Sequence, residues 1–172
     1  MIRKATAEDI DSIERIYDEI HTAEENGEQT VGWIRNVYPT RTTAETALTR
    51  GDLFVMEEDG TCLGTAIINK AQVDCYTEGA WEYEAPEDGV CVLHTLVISP
   101  KAKGKGYGRQ FVQFYEQYAM ENHAPELRMD TNERNRTARR FYAGLGYKEV
   151  GIVPTVFNGI PGVGLVLLEK HL

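Results

Sequence analysis

The sequence predicts a mixed α+β fold in one domain spanning residues 1–172, and three observations carry that expectation. Segments with apolar residues spaced three and four apart are interspersed with short apolar, β-branched runs, in an order that begins and ends on strands. A chain of 172 residues buries roughly 70% of its unfolded surface, enough for a core without disulfide or metal staples. No internal repeat, low-complexity tract or linker divides it, and 26% charged with 9% aromatic residues excludes a disordered or fibrous chain.

Taken in order, Ile2–Lys4 reads as a short strand. Thr6 then caps a helix, with Asp9 completing a capping box, and Ile10, Ile13, Ile16, Tyr17 and Ile20 fall on one helical face. The polar stretch Glu24–Gln29 ends that helix, and Gly32–Pro39, which bears Trp33 and Tyr38, is a loop or short helix. Thr42 and Glu45 suggest a second capping box, and Gly51 stands where a helix C-cap belongs. Leu53–Thr61 is a strand running into a turn at Asp59-Gly60, and Cys62–Asn69 is its return. Val90–Ile98 is apolar enough to lie at the centre of a sheet, and Pro100 ends it. A helix from Gly106 carries Phe111, Val112, Phe114, Tyr115, Tyr118 and Ala119 on one stripe. Leu127–Asp130 is a short strand, and Asn135 opens a helix with Ala138, Phe141, Tyr142 and Leu145 on one face. Tyr147–Val153 and Val163–Leu168 close the chain as two strands around a Gly/Pro-rich turn.

Eighteen basic against 27 acidic residues give a net charge of −9, which disfavours nucleic acid as a partner. No run reaches membrane-spanning length and the N-terminus lacks a signal-peptide pattern, so neither membrane nor export is expected. Three cysteines without C-x-x-C spacing argue against a disulfide framework or a zinc site, and point to a reducing cytoplasm. His21, His123 and His171 read as surface residues. The charge is uneven: Ser99–Tyr115 holds no acid but has Lys101, Lys103, Lys105 and Arg109, whereas Gln72–Gly89 carries six acids and no base.

The basic stretch follows the central strand. Gly104, Gly106 and Gly108 permit close backbone approach, and the helix beginning there presents N–H groups without intrahelical partners at the positive end of its dipole. Such a loop suits a phosphate, above all a pyrophosphate bridging several N–H groups. A P-loop requires Gly-x-x-x-x-Gly-Lys-Ser/Thr, and a dinucleotide fingerprint requires Gly-x-Gly-x-x-Gly after the first strand. The Gly-x-Gly-x-Gly here, past the middle of the chain, matches neither.

Lys103-x-x-Gly106-x-Gly108 resembles the Gln/Arg-x-x-Gly-x-Gly/Ala signature of the GNAT superfamily of acyl-CoA-dependent N-acyltransferases, with Lys replacing the usual Gln or Arg. Asn135-x-x-Ala138-x-x-Phe141-Tyr142-x-x-Leu145-Gly146-Tyr147 is similar to that family's second motif, one helix and one strand downstream. The resemblance covers nearly the whole chain. It implies a twisted mixed sheet flanked by helices, with CoA inserted where two parallel strands splay apart. It implies that the backbone of Leu96, Val97 and Ile98 holds the pantetheine arm. Lys103, Gly104, Lys105, Gly106, Tyr107, Gly108 and Arg109 would take the pyrophosphate, and Asn135, with Asn132 a weaker candidate, would hydrogen-bond the pantetheine. Tyr142 would lie beside the thioester sulfur. The implied activity is transfer of an acetyl group from acetyl-CoA to a primary amine by direct attack, with no metal, on a fold where homodimers are common.

A base must deprotonate the amine, and the sequence offers several. His94 has a suitable intrinsic pKa but shares strand parity with Leu96 and Ile98, so core packing rivals catalysis. Glu82 and Glu84, beside Trp81 and Tyr83, are carboxylates in an aromatic setting, against which a solvated acidic loop is the rival. Trp33 and Tyr38 lie where the family shapes its acceptor pocket, with plain hydrophobic packing as the alternative. A non-catalytic acyl-CoA-binding sensor on the same fold is the competing function, and the presence of Tyr142 favours the enzyme.

Overall fold

The computed structural model describes residues 1–172 throughout. Seven strands, β1 (Ile2–Lys4), β2 (Leu53–Glu58), β3 (Thr61–Asn69), β4 (Val90–Ile98), β5 (Glu126–Asn132), β6 (Lys148–Phe157) and β7 (Ile160–His171), form one sheet in the order β1-β2-β3-β4-β5-β7-β6. Four helices pack on it: α1 (Ile10–Glu25), α2 (Arg41–Arg50), α3 (Tyr107–Glu121) and α4 (Arg136–Ala143). All neighbours are antiparallel except β4 and β5, which are parallel and joined through α3. The central position expected for Val90–Ile98 is the one β4 occupies.

Both sheet faces are covered, which is why β4 reads as an apolar run rather than an alternation. On one face Cys91, Leu93 and Met129 pack with Phe111, Val112 and Tyr115 of α3 and Tyr142 of α4. On the other, Ile13, Ile16 and Tyr17 of α1 cover Val55, Ile67 and Val97. Farther along that second face, Tyr76 from the acidic segment packs on Val90, Val92 and the β6–β7 hairpin.

Local signals placed most boundaries. The Asp9 carboxylate accepts the Thr6 backbone N–H at 2.7 Å, as the capping box requires. Gly51 closes α2 at φ +78°, a left-handed conformation that costs glycine little. Asp59 and Gly60 both take positive φ, as a two-residue hairpin needs.

Four expectations are corrected. The cap of α2 is Thr40, whose backbone N–H donates to Thr43 Oγ1 at 3.0 Å; Glu45 instead pairs with Arg41 on the helix surface. The last hairpin turns at Asn158-Gly159, so Pro154 and Gly162 lie within the ladder. Proline is tolerated there because β6 is an edge strand. His21 is buried, with Nε2 2.9 Å from the Pro39 carbonyl oxygen, and so ties the 31–39 loop to α1. The fourth correction concerns β4. Thr65 pairs with Val97 but Ile67 pairs with His94, so Thr95 and Leu96 together oppose Ala66 in a bulge, with Thr95 at φ +50°. The bulge reverses the parity: Leu93 and Leu96 both pack on the α3 side, and His94 belongs to the opposite face from Leu96 and Ile98.

Candidate active site

The parallel pairing of β4 with β5 runs only from Val90 opposite Glu126 to Leu93 opposite Met129. Beyond that point β5 stays with β7 as far as Asn132, while β4 stays with β3 as far as Ile98. The two strands therefore part, and the backbone of β4 from the bulge onward has no ladder partner on its β5 side. A cavity of about 430 Å³ opens in the gap and passes through the sheet. Asn135, Ala138 and Tyr142 wall it on the α4 side; Trp33, Tyr38, Cys75 and Phe157 wall it on the other. A narrower groove continues from it, sharing Val31, Trp33 and Leu96, past Val97 and Ile98 to Pro100 and Lys103.

That groove ends at the glycine-rich loop. None of the backbone N–H groups from Gly104 to Arg109 has a protein acceptor; the next one, of Gln110, donates to Gly106 O at 3.1 Å. Gly104 and Gly106 sit at φ +83° and +81°, where a side chain would strain the backbone although nothing would obstruct it. Lys103, Lys105 and Arg109 make no ion pair, whereas Lys101 is held by Glu19 at 2.5 Å. Consecutive free donors at a helix N-terminus with unpaired cations alongside are the donor set a pyrophosphate demands. The donors and cations of this loop are of the kind a CoA pyrophosphate would need. Of Tyr107 only the backbone is available in this loop, because its hydroxyl is turned to Glu58.

Asn135 caps α4, its Oδ1 accepting the Ala138 N–H at 3.1 Å, and it lines the cavity with Asn132. Asn132 is buried, with Oδ1 accepting the Arg134 N–H at 3.0 Å. Its amide packs so closely over Gly32 that a Cβ there would collide with it. The Tyr142 hydroxyl has no protein partner and is not sealed from the cavity. Burial first, and the Asp130 charge second, push its phenol well above the ordinary value, so it stays protonated and able to donate.

His94 lines the cavity. Asn69 donates through Nδ2 to Asp52 and accepts the Ala71 N–H through Oδ1, so the His94 Nε2 at 2.9 Å from that same oxygen is the donor. Nδ1 is left with a free lone pair, and burial pushes the imidazole down to about 4. Glu82 and Glu84 lie outside the cavity: Glu82 is ion-paired with Lys148, and Glu84 is exposed. The structure does not bring them to the other site residues. Trp33 and Tyr38 do reach it, edge to face at 6.0 Å, with the Tyr38 hydroxyl hydrogen-bonded to Thr95 Oγ1 in the bulge.

Sequence reasoning missed Asp130. It is the first β5 residue past the last β4–β5 pair, it lines the cavity, and burial pushes its carboxyl up to about 6. Tyr76, from a 3-10 turn at Asp74–Glu78, donates its hydroxyl to Asp130 Oδ2 at 2.6 Å. No local signal marks Asp130: Leu127 and Met129 face α3, whereas strand alternation turns Asp130 to the other face, where Tyr76 meets it.

Comparison with known proteins bears on the family and the fold. The sequence pattern of the acetyltransferase (GNAT) family matches residues 10–147. An N-acetylaspartate synthetase from Xenopus tropicalis is 26% identical over 117 residues, which are 68% of this chain and 41% of that protein. An uncharacterized N-acetyltransferase from Bacillus subtilis is 35% identical over 60 residues, 35% of this chain and 40% of its own. The chain therefore spans about two fifths of the curated relatives it matches. A GNAT-family acetyltransferase of Streptococcus agalactiae superposes with a TM-score of 0.82 at 25% identity, covering 100% of this chain and 95% of that one. A ribosomal-protein-alanine N-acetyltransferase from Brucella melitensis shares the fold, with a TM-score of 0.73 at 19% identity and coverage of 100% and 99%. With the sequence pattern matched over most of its length and the splayed sheet in place, the chain belongs to the GNAT acetyltransferase family.

Proposed function

We propose that this chain transfers an acetyl group from acetyl-CoA to a primary amine by direct attack. The observation that carries the reading is a groove running from Lys103, next to the free N–H groups of Gly104–Arg109, along the unpaired edge of β4 to an adjoining chamber that holds Tyr142, His94 and Asp130. The names of the matched relatives agree on N-acetyl transfer and differ in acceptor.

Acetyl-CoA, when bound, supplies an activated acetyl thioester and a thiolate leaving group. The chain supplies the rest. The loop Lys103–Arg109 anchors the phosphates, and the β5-facing backbone of Leu96–Ile98 offers hydrogen bonds to an extended arm. Asn135 and Asn132 border the same stretch. An acceptor amine arrives protonated and must lose a proton before it can attack. Asp130, with a carboxyl near 6, is ionised at neutral pH yet basic enough to take that proton. His94 is neutral with Nδ1 free, but at about 4 it is the weaker base, and its place is to accept a hydrogen bond in the chamber. Tyr142, kept protonated by burial, donates its phenolic proton toward the departing sulfur. Trp33 and Tyr38 wall the acceptor side.

A thiol-release screen of acetyl-CoA against alkylamines, polyamines, amino acids and peptides tests this reading. Amine-dependent release supports it. Tight CoA binding with no release for any amine supports a non-catalytic acyl-CoA sensor instead.

A further inference from the structure

The charge of the acceptor chamber is one-sided. Of its lining residues only Asp74 and Asp130 are charged, since burial keeps His94 neutral; no lysine or arginine lines it. Asp130 commits one oxygen to Tyr76, while Oδ1 has no protein donor and is not sealed in the core. Asp74 stands exposed at the mouth, two residues before Tyr76. The rest of the wall is uncharged: aromatic at Trp33, Tyr38 and Phe157, and polar at Asn132, Asn135 and Asn158.

Two arginines lie near the chamber, Arg50 and the unpaired Arg134, and neither lines it. Arg50 is held by Asp52 through two hydrogen bonds, at 2.8 and 3.1 Å. The Arg134 guanidinium is exposed beside Gly32 and lies outside the lining. An α-amino acid would bring its carboxylate within one carbon of the reacting nitrogen, into a chamber whose only formal charges are negative. Burying a carboxylate without a counter-charge is costly, and a like charge nearby adds to the cost. An ammonium group meets the opposite situation: a half-satisfied carboxylate ahead of it and aromatic faces beside it.

We infer that the acceptor is an alkylamine or diamine with no carboxylate next to its reacting nitrogen, bound as the ammonium by Asp130, and that α-amino acids are excluded. This deepens the proposed acetyl transfer and rests on the chamber being the acceptor site. A diamine places its second ammonium toward Asp74 at the mouth, so a diamine outranks a monoamine of the same length.

The test separates binding from turnover. Calorimetry on the complex with CoA, which carries no acetyl group, measures 1,4-diaminobutane, n-butylamine, L-aspartate and L-alanine as ligands. The expected order is diaminobutane tightest, butylamine next and both amino acids undetectable. Asp130→Asn weakens both amines by about tenfold or more, and Asp74→Asn narrows the gap between diamine and monoamine. Circular dichroism checks that each variant is folded, and Asp74 is exposed enough that its variant retains the fold. Amino acids binding as tightly as butylamine overturn the inference, as does their loss on Arg134→Gln, which would place the carboxylate on that arginine. Absence of amine binding to a CoA-competent protein overturns it too. Thiol release with amino acids as acceptors sinks the inference and leaves acetyl transfer standing. Asp130-dependent amine binding without thiol release from acetyl-CoA does the reverse.

Discussion

The hydroxyl of Tyr76 donates to Asp130 Oδ2 at 2.6 Å, joining the acidic segment between β3 and β4 to the point where the sheet splits. That one bond gives the segment a task. Of its six acids only Asp74 reaches the site; the segment supplies a chamber wall through Val73, Asp74 and Cys75 and orients one carboxylate of β5. Trp81 braces the arrangement, its indole donating to the Tyr76 carbonyl at 2.6 Å while Arg128 lies over its ring at 4.1 Å.

Tyr76→Phe tests this directly through pH. Burial raises the Asp130 carboxyl to about 6, and the Tyr76 hydroxyl opposes that by stabilising the charged form. Asp130 must be ionised to accept a proton, so kcat/KM for an amine falls as pH drops through about 6. Removing the hydroxyl moves that acid limb to higher pH. A purely structural tyrosine would lower the whole profile without displacing its limb.

Tyr142→Phe keeps the ring, and so most of the packing against Tyr147 and Phe141, while deleting the proton donor. The expected result is a fall in kcat of roughly 10²–10⁴ with the CoA dissociation constant nearly unchanged. Steady-state kinetics and calorimetry on the same variant check it, and full turnover would reduce Tyr142 to a packing residue.

Gly106→Val places a β-branched residue at φ +81° in open space, so the fold survives while the loop gives up the conformation that exposes its N–H groups. CoA should no longer raise the melting temperature of this variant, whereas it stabilises the wild type by mass action. An unchanged CoA dissociation constant in the folded variant would remove the loop from the cofactor site.

A fourth expectation concerns stability. Glu126 is buried on β5 beside Glu169 of β7; burial first and the neighbouring carboxyl second push it up to about 8, against a partial offset from Arg128. The folded chain therefore holds a proton that the unfolded chain releases near 4.5. Stability from this group is complete below that value and is lost as pH rises through about 8. Glu126→Gln, which cannot ionise, should flatten the decline in melting temperature between pH 5 and 8, as read by calorimetric scans.

Much of this was legible in the sequence because the signals are local. Glycine spacing after an apolar strand marked the open loop that starts α3, Asp59-Gly60 marked a hairpin, and Asn135 with Tyr142 marked α4. What escaped depends on contacts between distant segments. The bulge at Thr95 inverts the parity of His94 and is visible only in the pairing of β3 with β4. Thr40 rather than Thr42 caps α2, a choice between two threonines that the local string leaves open. Asp130 acquires its meaning only when β5 parts from β4 and Tyr76 arrives from 54 positions away. Glu82 and Glu84 looked promising for their aromatic neighbours, yet Trp81 turns inward to Tyr76 and Arg128 while the glutamates face Lys148 and solvent.

The central claim is that an amine and an acetyl thioester meet in the chamber between Tyr142 and Asp130. Following free thiol from acetyl-CoA while mass spectrometry follows the added amine tests it most directly. The account predicts release that depends on amine, with one acetylated amine formed per thiol and both rates falling together in Asp130→Asn. Thiol release that proceeds at the same rate without amine, or an acetylated amine whose formation is indifferent to Asp130 and Tyr142, would contradict it.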